Sequence, residues 1–229
     1  MGSLALRLIE QANDLELHAA IGSADSLDGI AGADVVFDAT KLEVSKRVVA
    51  AAQQHGVAAV IATSGWSANE VEQLGAVPSP VLIVPNFSLG SVLGTALSAI
   101  AAPYFDTVEI IETHHAGKID SPSGTAVRTA EVIADARRAT GMEGTVPGAG
   151  QEARGEIVAG IPVHSLRMVG VLAEQRVELG RSGESLRIEH VTTSNDSYAD
   201  GMLLALRKVQ ALTGVTVGLD ALLDLPGRS

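Results

Sequence analysis

The chain has 229 residues, enough for one large domain or two small ones around a buried core. A formal net charge of −11 argues against nucleic acid as a partner, and the absence of cysteine excludes a disulfide framework or a thiolate metal site. No apolar run approaches the roughly 20 residues that span a bilayer, and no signal-like start is present, so a cytoplasmic protein is expected.

Apolar residues make up 46% of the chain and aromatics only 3%, so the packing should be aliphatic. From Ser3 to Ala12, the residues Leu4, Ala5, Leu8, Ile9 and Ala12 form a stripe at helical spacing, with Ser3 as a candidate cap. Leu15 to Ile21 alternates and predicts a strand. Asp34 to Asp38 is a short strand with an acidic end, and Asp38 suits a helix cap as well as a ligand contact. Leu42 to His55 predicts a helix that stops near Gly56. Val57 to Ala62 reads as a buried strand, followed by the turn Thr63-Ser64-Gly65. Trp66, just beyond it, is expected to cover a core edge. Ala68 to Leu74 predicts a helix and Pro80 to Val84 a strand. Strands alternating with helices at this spacing argue for an α/β fold with a doubly wound parallel sheet of the dinucleotide-binding type.

After Pro85 the pattern changes. Ser91 to Ala102 predicts a long aliphatic helix, and Val108 to Glu112 a strand. Beyond that strand come His114, His115 and Lys118, then Ser123-Gly124-Thr125 at the start of a helix over Ala126 to Ala136. Backbone N–H groups at a helix start carry partial positive charge and suit a carboxylate or phosphate. The blander reading is a polar turn in which Ser123 or Thr125 caps the helix. An anionic substrate of so acidic a chain needs a locally positive pocket, and this stretch supplies one. Gly141 to Gly155 reads as an exposed loop. Val163 to His190 alternates, as in an open antiparallel or mixed sheet, with His164 and His190 expected in structural hydrogen bonds. Asp200 to Leu212 predicts a helix, and the segment from Val215 to Leu223 is short and apolar.

The run from His114 to Ala126, His-His-x-x-Lys-x-Asp-x-Pro-Ser-Gly-Thr-Ala, resembles the signature of the dihydrodipicolinate reductases of lysine biosynthesis. Further matches are Pro85-Asn-Phe-Ser-Leu-Gly90, Gly160-Ile-Pro-Val-His164 with Arg167 and Gly170, Gly183-Glu184, and Ile188-Glu-His190. The resemblance implies a Rossmann-like domain over 1–87 and 200–229. It implies an inserted α+β domain over 88–199 that binds substrate and builds a homotetramer through an open mixed sheet. NADH or NADPH would deliver hydride to a cyclic dicarboxylate, 4-hydroxy-tetrahydrodipicolinate, giving tetrahydrodipicolinate without a metal. By position in the motif, His114 and Lys118 would be the acid/base pair, and His115, Ser123, Gly124 and Thr125 would hold the substrate carboxylates. Ala62, Thr63 and Ser64, with Pro85, Asn86, Phe87 and Ser88, would form the nicotinamide side of the cofactor site.

The sequence also departs from the family pattern. Met1 and Gly2 resemble the tail of a glycine-rich phosphate loop whose larger part, with the first strand of the sheet, is missing from the chain. Gly22 stands where an acidic residue is usual, Ala39 replaces a Phe, Gly117 a His and Asn195 an Arg. An alternative expectation is therefore a relative that keeps the dicarboxylate pocket but no longer uses a dinucleotide.

Overall fold

The computed structural model describes residues 1–142 and 151–223. Its contacts separate into two units, Met1–Leu89 with Tyr198–Ser229, and Gly90–Ser197. In the first unit the amphipathic stripe becomes α1 (Gly2–Gln11), with Ala5 and Leu8 buried. Ser3 does not cap it, because the helix starts earlier, on Met1, without a side-chain cap. Three parallel strands follow, β1 (Val35–Asp38), β2 (Ala58–Ile61) and β3 (Val81–Ile83), connected through α2 (Leu42–His55) and α3 (Ala68–Gln73). α2 ends where Gly56 takes a left-handed φ of 71°, which a residue without a Cβ adopts at little cost. β2 reads Ala-Ala-Val-Ile and is buried throughout, as a strand covered on both faces should be. Val48, Val49 and Ala52 of α2 pack on Ala59, Ile61, Val81 and Ile83. Trp66 lies against this cluster and donates its indole N–H to Ser45 Oγ at 3.1 Å, at the core edge where it was expected.

The strand expected over Leu15 to Ile21 is absent: these residues form no ladder. Alternation provides a face, but a strand also needs a neighbour to satisfy its backbone, and among the described residues β1 pairs only with β2. His18 Nε2 instead meets Ala31 O at 3.1 Å.

The second unit contains α4 from its second residue onward (Leu89–Ala101), β4 (Thr107–His115), α5 (Gly124–Ala139), β5 (Glu156–Val158), β6 (Ile161–Met168), β7 (Ala173–Arg181) and β8 (Glu184–Thr192). The strands form one sheet in the order β5-β6-β4-β7-β8. β4 runs parallel to β6 and antiparallel to β7, so the sheet is mixed, and β4 lies at its centre. Strand alternation turns Val108, Ile110, Val163, Val177 and Leu179 toward Ala126, Ala130 and Ile133 of α5. The opposite face leaves Leu166, Met168 and Val191 exposed. β5 was not anticipated, since three residues are too few to display a period of two. The loop expected over Gly141 to Gly155 falls largely outside the described residues. Gly90 allows α4 to approach β8, because a Cβ there would stand 2.6 Å from His190 Cδ2.

Arg137 anchors the far end of α5. It is buried, and its guanidinium donates to the carbonyls of Ala102 at 3.0 Å, Phe105 at 2.6 Å and Asp106 at 3.2 Å. These carbonyls lie in the link between α4 and β4, so one side chain ties α5 to the segment that launches the central strand. Arg137→Leu would strand three carbonyls and is expected to destabilise the fold by about 2–4 kcal/mol. A denaturant midpoint equal to that of the unaltered chain would show that the carbonyls find other donors.

The chain returns to the first unit as α6 (Ala199–Lys208), a short 3-10 turn over Val209–Ala211, and β9 (Val215–Val217). β9 pairs in parallel with β3 and completes the order β1-β2-β3-β9. The helix expected to reach Leu212 thus stops at Lys208 and tightens before the strand. Among the described residues no helix is long and apolar enough to cross a membrane.

Candidate active site

The end of β4 and the start of α5 meet around one carboxylate. Val108, Ile110 and Glu112 share the buried phase of β4, and Glu112 is completely inaccessible. A carboxylate in that position needs partners, and several donors surround it. Arg167 grips it with both terminal nitrogens, Nη1 to Oε2 at 3.0 Å and Nη2 to Oε1 at 2.9 Å. His114 Nδ1 lies 2.5 Å from Oε2, and the Ser123 N–H donates to Oε1 at 3.2 Å. Burial pushes the Glu112 carboxyl up, but the bonds from Arg167, Ser165 and His114 outweigh it and hold the group below its usual range.

The second terminal nitrogen of Arg167 also donates to the Asp120 carbonyl at 2.6 Å. Asp120 in turn holds Lys118, whose Nζ donates to both carboxylate oxygens, at 2.8 and 2.7 Å. The Lys118 ammonium keeps the Asp120 carboxyl below its ordinary value. His114, Lys118 and Ser123 therefore belong to one hydrogen-bonded network that includes Glu112, Arg167 and Asp120.

Ser123 is the N-cap of α5, its Oγ accepting from the Ala126 N–H at 3.2 Å. The capping role weighed from sequence is thus real, and it leaves the Ser123 hydroxyl proton available to donate. Gly124 and Thr125 open the helix, where their N–H groups have no carbonyl one turn earlier within it. His115 is the last residue of β4 and exposed, and neighbouring strand residues point to opposite faces. It is not joined to the Glu112 network through its side chain in any bond seen among the described residues, although its carbonyl accepts from Lys118 N at 3.1 Å. Of the other histidines, His164 Nε2 meets Glu109 at 2.8 Å, a structural bond as expected.

The residues assigned to the nicotinamide side lie in the first unit, in two turns that leave the carboxyl ends of β2 and β3. In open α/β sheets ligands sit at such ends. Thr63 is buried and donates to Asp38 Oδ2 at 2.7 Å, while Thr40 Oγ1 donates to Asp38 Oδ1 at 2.6 Å. The Thr40 N–H donates to Thr63 Oγ1 at 2.8 Å, so Asp38 ties together the turns after β1 and β2. Ala62 is half-buried and Ser64 exposed. In the second turn Asn86 Oδ1 accepts from Ser88 N at 2.9 Å, and Pro85 is exposed. Phe87 is buried, its ring tilted against that of Phe37 with centroids 5.9 Å apart. Thr63 and Phe87 thus direct their side chains inward, and what they can offer a ligand is backbone.

Sequence reading missed Glu112 as a member of the site and quoted Arg167 only as a motif match. The signal was present in both strands: Glu112 is in phase with Val108 and Ile110, and Arg167 with Ile161 and Val163. A charge on the buried phase of each of two neighbouring strands predicts a pair.

A family model described as "Dihydrodipicolinate reductase, N-terminus" matches residues 1–87, and one described as "Dihydrodipicolinate reductase, C-terminus" matches residues 90–223. A 4-hydroxy-tetrahydrodipicolinate reductase from Clavibacter michiganensis subsp. michiganensis is 47% identical over 99% of this chain and 83% of its own. The protein of that name from Streptomyces avermitilis is 43% identical over 98% of this chain and 94% of its own. Among solved structures, the dipicolinate-bound dihydrodipicolinate reductase from Paenisporosarcina sp. TG-14 superimposes with a TM-score of 0.82 at 28% identity, covering 97% of this chain and 95% of that one.

Proposed function

The chain belongs to the dihydrodipicolinate reductase family, NAD(P)H-dependent oxidoreductases of lysine and diaminopimelate biosynthesis, and we propose how its residues reduce 4-hydroxy-tetrahydrodipicolinate to tetrahydrodipicolinate. Exchanging a C–OH for a C–H takes up one hydride and one proton and releases one water. The reduced nicotinamide supplies the hydride when bound. The chain must supply the proton, hold two carboxylates and present neutral polar groups to the cofactor's carboxamide.

The donor set fits each task. The turns Ala62-Thr63-Ser64 and Pro85-Asn86-Phe87-Ser88 carry no charged side chain. The backbone of these turns, at the strand ends, is the proposed source of the amide donors and acceptors that a carboxamide requires. For the dicarboxylate, the N–H groups of Gly124 and Thr125, the Ser123 hydroxyl and the exposed His115 ring are the proposed contacts. His114 and Lys118 are the proposed acid/base pair, one held by Glu112 and the other by Asp120. The carrying observation is this network, which joins both proton donors to the capped start of α5. A pocket that only held an anion would have no need of an imidazole oriented by a buried carboxylate.

NADH and NADPH are both candidate cofactors, and the assembly is proposed to be a cytoplasmic homotetramer. The face of the second sheet away from α5 supports the latter, since Leu166, Met168 and Val191 stand exposed on it. Such a patch is the kind of surface that a second copy covers. The test of function is titration with NADH and NADPH, followed by nicotinamide fluorescence, with and without pyridine-2,6-dicarboxylate. Cofactor binding strengthened by the dicarboxylate is expected. Dicarboxylate binding by calorimetry without any dinucleotide binding would reject the reductase reading for this chain.

A further inference from the structure

We propose that Glu112 is the positioning residue of the acid/base pair: it holds His114 with a proton on Nδ1, leaving Nε2 to exchange protons with the substrate, and through Arg167 it holds the loop bearing Lys118. This rests on His114 being the acid/base group. Glu112 is inaccessible, so its action passes entirely through other residues.

The tautomer follows from counting donors. Oε1 receives Arg167 Nη2 and the Ser123 N–H, and Oε2 receives Arg167 Nη1 and His114 Nδ1. An ionised carboxylate only accepts, so Nδ1 must carry the hydrogen. Neutral His114 then has a bare Nε2, and charged His114 an Nε2–H. In both states the exchangeable site is Nε2, on the side of the ring away from Glu112.

A simple stabilising ion pair does not account for this arrangement. Buried pairs contribute little net stability compared with apolar packing of similar size. Arg167 alone could satisfy Glu112 bidentately, yet the carboxylate also takes the imidazole from its own strand and the cap amide of α5. Arg167 spends its remaining contacts on backbone carbonyls, donating to Leu166 O at 2.7 Å and Asp120 O at 2.6 Å. One buried charge thereby registers three parts of the site: the ring of His114, the first amides of α5, and the loop whose Asp120 carboxylate holds Lys118.

The deciding measurement is the nitrogen NMR spectrum of the histidine-labelled chain, with His114 assigned by comparison with His114→Asn. Neutral His114 is expected as the Nδ1–H tautomer, and an Nε2–H tautomer in the unaltered chain would overturn the proposal. Replacing Glu112 alone would leave the Arg167 charge buried without a partner and confuse loss of fold with loss of function. Glu112→Leu with Arg167→Met removes both charges together. In this variant the Nε2–H signal should appear, and kcat should fall on the order of 100-fold. Affinity for pyridine-2,6-dicarboxylate should fall less than kcat does, because Ser123 still caps α5 through the Ala126 N–H, and general loosening would not give this split between kcat and binding. A folded double variant with unchanged His114 resonances and unchanged kcat would overturn the proposal. His114→Asn with full turnover would instead remove His114 from the chemistry, and the tautomer in the unaltered chain would still decide whether Glu112 orients it.

Discussion

His114→Ala should reduce kcat by about two to four orders of magnitude, the usual loss when a positioned proton donor is removed. It should leave the affinity for pyridine-2,6-dicarboxylate nearly intact, because the imidazole is proposed to move a proton and not to hold a carboxylate. Lys118→Ala should behave differently. Lys118 neutralises Asp120, which it meets through both carboxylate oxygens at 2.8 and 2.7 Å. Its loss deletes a cation and also exposes an anion beside the proposed dicarboxylate contacts, in a chain that already carries −11. Both kcat and KM should therefore worsen, with the KM part falling as salt screens Asp120. Lys118→Ala with Asp120→Ala separates the two effects: KM should recover while kcat stays low. Unchanged turnover in Lys118→Ala would remove the lysine from the mechanism.

The parts of this site differ in how far the sequence discloses them, for physical reasons. Ser123-Gly124-Thr125 before an apolar helical run is local information, since a cap and a helix start are set by residues within one turn. The same holds for Gly56 after α2 and for the capping box of Ser67 and Glu70 at α3. The strand expected over Leu15 to Ile21 failed because alternation is local and pairing is not. Glu112 and Arg167 are 55 positions apart, so their bond was hidden until β4 and β6 were known to be parallel neighbours. Phe87 and Thr63 were assigned to the cofactor by motif, and the fold turns both side chains inward, to Phe37 and Asp38. A motif identifies a position, but it does not say whether the side chain or the backbone carries the contact.

The two units solve the same problem alike. Each places a buried acid at the carboxyl end of a strand and uses it to fix neighbouring segments. Asp38, at the end of β1, holds Thr40 and Thr63 and so fixes the first proposed nicotinamide-side turn. Glu112, near the end of β4, holds the residues of the proposed substrate side. In both cases a charge inside the fold restrains polar backbone that the ligand must find already in place, which is what preorganisation requires.

The second proposed nicotinamide-side turn is closely packed against α6, which makes Gly201→Ala a disruptive small change in the first unit. Gly201 lies in the first turn of α6, and a Cβ there would stand 2.0 Å from Phe87 O, 2.9 Å from Phe87 C and 2.8 Å from Leu219 Cδ2. The leucine can rotate, but a backbone carbonyl cannot leave without moving the chain on either side. α6 must withdraw, or the turn Pro85-Asn86-Phe87-Ser88 must shift, breaking the bond from Ser88 N to Asn86 Oδ1. Overpacking of this kind costs typically 1–3 kcal/mol, roughly, and more where the obstacle is main chain. The thermal midpoint of Gly201→Ala should fall by several degrees, on the order of 2–8 °C, and its NADH affinity should fall with it. Gly56→Ala is the matched control. There a Cβ meets nothing within 4 Å, and the cost comes only from the φ of 71°. It should destabilise by about 1 kcal/mol and leave NADH binding unchanged at temperatures where the chain is folded. If both variants lose stability while neither loses NADH affinity, the turn after β3 does not carry the cofactor. If Gly201→Ala alone loses it, the backbone of that turn is the contact, and α6 holds it in place by having no side chain at this position.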